Sequence, residues 1–160
     1  MLKYNGAIGV ILAVNLLLFY AALAFAEESV ILSVSVPDGS EVLERPMKPG
    51  EGFAIRYTHS VALSPVTDYF VIENGDIYID ATVYEDFGAG LPHETFGDQK
   101  MKTEDGRIVL TGLKRKVSPL DLRVGRIANH TLILDDGEIP LKKLAKPGQT
   151  LTFKIIKKQD

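Results

Sequence analysis

The stretch Phe53–Pro92, FAIRYTHSVALSPVTDYFVIENGDIYIDATVYEDFGAGLP, carries the densest pattern in the chain. It reads as three antiparallel strands, Phe53–Val61, Val66–Glu73 and Ile77–Glu85, followed by a glycine-rich loop. Asn74-Gly75 is the dipeptide that best tolerates two successive positive φ values, so a two-residue hairpin is expected there. Glu73 then faces Asp76, Ile72 faces Ile77, Phe70 faces Ile79 and Asp68 faces Ala81. Cross-strand partners share a face, and this face is apolar except for Asp68. Closing the preceding hairpin through Ala62-Leu63-Ser64-Pro65 sets Val61 against Val66, His59 against Asp68, Tyr57 against Phe70 and Ile55 against Ile72. An imidazole and a carboxylate are thus expected to meet on an otherwise greasy surface.

Working toward the amino terminus, Pro46–Gly52 is a loop punctuated by proline and glycine. Glu41–Arg45 forms a short strand, and Pro37-Asp38-Gly39 a turn. In Val30–Val36 the apolar residues alternate with Ser33 and Ser35, as in a half-buried strand. Residues 1–26 differ from everything after them. Lys3 is the sole charge before Glu27, and residues 6–26 are apolar apart from Asn15. A basic start, an apolar centre and small residues around Ala24 and Ala26 fit a signal peptide cleaved after Ala26. The same helix is long enough to remain as a single membrane anchor. Both readings put residues 27–160 outside the cytoplasm as one extracytoplasmic domain, in the periplasm or on the outer face of the cell membrane, with Lys3 on the inner side.

Toward the carboxyl terminus, Asp86–Gly97 breaks the periodicity and reads as a shaped loop. Gln99–Thr103 and Arg107–Thr111 flank a Glu-Asp-Gly turn. Gly112 separates Arg107–Thr111 from Leu113–Val117, which holds the basic run Lys114-Arg115-Lys116. Strands follow at Leu120–Ile127, His130–Leu134, Glu138–Lys142 and Leu151–Ile156, with at most one helical turn near Leu141–Ala145. Turn signals every 8–12 residues, and no long helical period after Glu27, predict an all-β fold. The expected architecture is an antiparallel β-sandwich or partly open barrel of about 9–11 short strands, preceded by the N-terminal apolar helix.

Composition narrows the function classes. The chain has no cysteine among its 160 residues, so disulfides, thiol nucleophiles and thiolate metal sites are excluded. Residues 1–26 hold one of the 18 basic side chains, and the remaining 17 stand against 21 acidic ones, which gives no electrostatic reason to expect nucleic acid.

His59 and Asp68 have two readings: an acid/base pair in which Asp68 orients the imidazole, or a buried, mutually satisfied pair that fixes register. Ser60 points away from His59, and no nucleophile elbow accompanies it, so a serine hydrolase is disfavoured. His59, Asp68, His93 and His130 lack local metal-ligand spacing, and neither metal nor cofactor is expected. Arg56, placed near Tyr78, is either an ion-paired strand arginine or a carboxylate clamp. The loop Phe87-Gly88-Ala89-Gly90-Leu91-Pro92 precedes no helix, so it is not a phosphate cradle. It is expected to cover one end of the fold or to dock a ligand or partner through Phe87 and Leu91.

The combination of FAIRYTHSVALSPVTDYF, TVYEDFGAGLP and LDLRVGRIANHTL resembles the family called domain of unknown function 1850, over roughly Leu32–Ile155. The matching positions are Arg56, Tyr57, His59, Ser60, Pro65, Asp68, Phe87, Gly88, Gly90, Leu91 and Pro92. The resemblance implies a small exported β-rich domain encoded beside TAXI-type TRAP transporters. By that association, the expected partner is the transporter's membrane subunit or its substrate-binding protein. The leading expectation is a non-enzymatic accessory or ligand-handling partner of organic-acid uptake. The alternatives are a small hydrolase or lyase-like enzyme using His59 and Asp68, and a structural envelope protein with no small ligand.

Overall fold

The computed structural model describes residues 30–48, 50–85 and 90–157. The N-terminal segment, and Phe87 and Gly88 of the glycine-rich loop, lie outside the described residues. Among the described residues, eleven strands run in the order β1 Val30–Ser35, β2 Glu41–Met47, β3 Gly52–Thr58, β4 Pro65–Glu73, β5 Asp76–Tyr84, β6 Lys100–Glu104, β7 Arg107–Lys116, β8 Leu120–Arg123, β9 Thr131–Leu134, β10 Gly137–Pro140 and β11 Thr150–Lys157. A 3-10 turn over Leu141–Lys143, the one helical element among the described residues, sits within the span expected for a helical turn.

The strands form two antiparallel sheets, β2-β1-β11-β8 and β10-β9-β3-β4-β5-β7-β6, and neither closes into a barrel. One core joins them. Leu32, Val34, Leu151 and Phe153 of the smaller sheet pack with Phe53, Ile55, Phe70, Ile72, Ile77 and Leu132 of the larger. Phe53 stacks on Phe70 within its own sheet at 4.9 Å and on Phe153 of the other at 6.0 Å. Offset aromatic stacking adds to the area these rings bury, so Phe53 ties the two layers together.

The Asn74-Gly75 hairpin forms as expected, with φ values of 54° and 79° and with Glu73 opposite Asp76, Ile72 opposite Ile77 and Phe70 opposite Ile79. Beyond that point the expected register fails. A bulge inserts Asp80 into β5, so Tyr69 pairs with Ala81 and Asp68 pairs with Thr82 rather than with Ala81. One extra residue flips the strand's faces. Thr82 and Tyr84 are therefore buried where Ala81 and Val83 were expected.

The β3–β4 hairpin differs more. Its partners are Ile55 with Asp68, Tyr57 with Val66 and Thr58 with Pro65, four residues away from the expected register. The even shift keeps Ile55, Tyr57, Asp68 and Phe70 on one face, but it removes His59 from the ladder. A second bulge joins the two strands expected on either side of Gly112 into one β7. There Gly112 and Lys114 take positive φ values of 75° and 43°, and β5 pairing resumes at Arg115 opposite Ile79.

Candidate functional site

The connection between β3 and β4 is a compact loop over residues 59–64. The His59 N–H donates to the Ser64 carbonyl (2.9 Å), and the Leu63 N–H donates to the His59 carbonyl (2.9 Å). The imidazole Nδ1 accepts from the Ala62 N–H at 3.1 Å and more weakly from the Val61 N–H at 3.4 Å. His59 is thus a local acceptor that closes a turn immediately after Thr58, in the manner of an Asx turn. This is why the expected four-residue loop does not form. The expectation that His59 faces Asp68 is corrected by the ladder: Asp68 lies opposite Ile55 on one side and Thr82 on the other.

Asp68 still occupies the apolar inner face, with different company. Burial pushes its carboxyl above the ordinary carboxylate range, opposed by hydrogen bonding from Thr82 and Tyr57 and by the positive field of Arg115. Tyr57 is pushed up to about 12, first by burial and then by the neighbouring Asp68 charge. A phenol held so far above neutral pH keeps its proton and serves as a donor.

On the other side of Tyr57, the pairing of Arg56 with Thr131 sets His130 beside it. Their rings stand 5.5 Å apart. His130 Nδ1 accepts the Gly125 N–H at 3.2 Å, and burial lowers the imidazole's pKa. The ring is therefore neutral near pH 7, with its remaining proton on Nε2.

Tyr57, Asp68 and His130 line a cleft of about 220 Å³ whose apolar walls are Ile55, Phe70, Leu120 and Leu122. Strand β8, at the edge of the smaller sheet, roofs it, and Asp121 of β8 adds a second carboxylate to the lining. The cleft offers acceptors and neutral donors but no cation of its own.

The other sequence-derived candidates divide between two places. Arg56 is exposed on the outer face and makes a bidentate pair with Glu138, at 3.1 and 2.5 Å. Its expected neighbour Tyr78 instead pairs with Val71, well along the sheet from the Arg56–Thr67 pair. The clamp is occupied by the protein's own carboxylate.

Ser60 lies exposed in the 59–64 loop, and Pro65 begins β4. Leu91 packs on the cluster of Val66, Tyr84 and Ile108, while the Tyr84 hydroxyl donates to the Pro92 carbonyl. Val66 lies near the start of β4, Tyr84 ends β5 and Ile108 lies near the start of β7, so the Leu91-Pro92 segment covers the same end of the molecule as the 59–64 loop. The β8–β9 loop joins them there, held by the Thr58 N–H donating to the Ala128 carbonyl at 2.7 Å.

Among the described residues, three of the five exposed large apolar side chains lie on these loops: Val61, Leu63 and Ile127, at 66 %, 71 % and 68 % exposure. Sequence reasoning missed Thr82 and did not join His130 to Tyr57. No local signal marks Thr82, which stands in the polar phase of Ile77–Tyr84 and is turned inward only by the bulge. No local signal joins His130 to Tyr57, because their contact depends on strand order. Among the described residues, no group of three or more His, Asp or Glu side chains could hold a metal ion.

Neither the comparison with curated proteins nor that with solved structures returned a match. The family Domain of unknown function (DUF1850) matches residues 53–141, from the first buried phenylalanine of β3 to the turn after β10. That span is more than half of the chain and contains the cleft's Tyr57, Asp68 and His130 together with all three end loops, so the protein belongs to the DUF1850 family.

Proposed function

We propose that this protein is an extracytoplasmic, non-enzymatic accessory module of a TRAP-type organic-acid uptake system, and that it meets its partner through the loop end. The observation that carries this reading is convergence. The motif positions Tyr57, His59, Ser60, Pro65, Leu91 and Pro92 gather at or beside one end of the larger sheet. Val61, Leu63 and Ile127 stand exposed on the same loops. Large apolar side chains held out on ordered loops are typical of contact surfaces.

The resemblance supports the choice of partner, the transporter's membrane subunit or its binding protein. The signal-like or anchor-like residues 1–26 support the compartment. Asp68 and Asp121 in the cleft disfavour an organic anion as its guest, which fits a module that acts on the transporter rather than carrying its substrate.

Co-purification of the full chain with the transporter subunits in detergent tests the proposal. Wild type is expected to co-elute, and the Val61→Ser/Leu63→Ser variant to elute alone with an unchanged melting temperature. Elution of wild type alone, or co-elution of the variant, would overturn it.

A further inference from the structure

We propose that the cleft beneath β8 is a binding site for a small organic ammonium ion, with Asp68 as the counter-ion and the sandwich interior receiving the apolar body. This inference is independent of the partner proposed above. It rests on the cleft's chemistry and size.

A cavity of about 220 Å³ admits a small guest. Its apolar walls, Ile55 and Phe70 from the larger sheet and Leu120 and Leu122 from β8, would cover a hydrocarbon body. Its polar groups are of one kind electrically. Asp68 and Asp121 are carboxylates, Tyr57 is a neutral phenol and His130 a neutral imidazole.

An organic carboxylate entering here would meet two carboxylates, and Arg115, whose field reaches Asp68, does not line the cleft. A neutral hydrocarbon would strip water from Asp68 and give nothing back. An ammonium head does both jobs: it donates to the carboxylate and cancels the charge that burial penalises.

The inner-face neighbours are arranged to leave Asp68 available. Thr82 and Tyr57 each carry one hydroxyl proton to give it, while a carboxylate has about four lone-pair sites. Arg115 acts on Asp68 only through its field, from an exposed position across the β7 bulge. Asp121 accepts from the Thr152 hydroxyl at 2.6 Å and is exposed to solvent, so it adds negative potential at the mouth, while Asp68 is the half-buried carboxylate. His130, neutral and bonded to Gly125, does not repel a cation.

The test uses three probes of one shape: benzylammonium, benzyl alcohol and benzoate, titrated at millimolar concentration into the full chain. Binding is read by calorimetry and by amide chemical shifts of residues 55–57 and 120–122. Benzylammonium is expected to bind about tenfold or more tightly than benzyl alcohol, the ratio for one charge-assisted bond. Benzoate is expected not to bind.

Asp68→Asn should reduce benzylammonium to the alcohol's affinity, and Leu122→Phe, which narrows the cleft and leaves Asp68 in place, should weaken both. Equal affinity for all three probes, preference for benzoate, no binding of benzylammonium, or a folded Asp68→Asn that retains the preference would each overturn the proposal. Should Asp68→Asn not fold, unweakened binding by Leu122→Phe would overturn it instead.

Discussion

The pairing of Asp68 with Tyr57, rather than with His59, can be measured as a coupling energy. In a double-mutant cycle, Tyr57→Phe removes one hydroxyl and Asp68→Asn removes the charge that the hydroxyl serves. A hydrogen bond to a charged group contributes about 1.5–3 kcal/mol net. Asp68 shares its charge between Tyr57 and Thr82 and is partly exposed, so the lower end, about 1.5 kcal/mol, is the expected coupling. The parallel cycle of His59→Gln with Asp68→Asn should be additive within about 0.5 kcal/mol, as for residues that share no partner. Urea unfolding of the three single variants, the two double variants and wild type, followed by circular dichroism, supplies all the required free energies. A His59–Asp68 coupling as large as the Tyr57–Asp68 coupling would refute the register on which the site is built.

Gly52 tests the same register from the other end of β3. A Cβ there would lie 2.2 Å from the Phe70 carbonyl oxygen, so Gly52→Ala must push β3 from β4, and a loss of about 1–3 kcal/mol is expected on chemical unfolding. The pH dependence of Asp68 has a definite sign. Its native pKa lies above the ordinary value, so the folded state holds the proton more tightly than the unfolded chain. Its stabilising contribution is complete below the unfolded carboxylate pKa and is lost as pH rises through the raised native value. Melting temperatures should therefore favour Asp68→Asn over wild type more at about pH 7 than at about pH 4. His130 runs the other way. Its native pKa is depressed by burial, so wild type should lose stability as pH falls below about 6.5, and His130→Gln should abolish that part of the loss.

Much of the fold was legible because it rests on local chemistry. Asn74-Gly75 dictated a hairpin, alternation dictated strands, and the Asp68 face came out apolar since its parity survived a four-residue slip in register. The slip itself came from His59. Its imidazole accepts the Ala62 N–H and closes a turn that strand periodicity does not encode. The Asp80 bulge was equally hidden: IYIDATVY alternates cleanly, and burying Tyr84 beneath Leu91-Pro92 is a tertiary preference that shifts the frame. Gly112 predicts a break from its sequence context, and it is a bulge inside one strand. His130 reaches Tyr57 because β9 docks beside β3, and sequence spacing carries no such strand order.

The proposed role of the loop end is tested most directly by site-specific photo-cross-linking in membranes that contain the transporter. A photoreactive residue in place of Leu63 sits on the exposed 59–64 loop, and one in place of Lys102 sits on the exposed edge strand β6 as a control. An adduct with the membrane subunit or the binding protein is expected from position 63 and none from position 102. No adduct from position 63, or equal adducts from both, would contradict it.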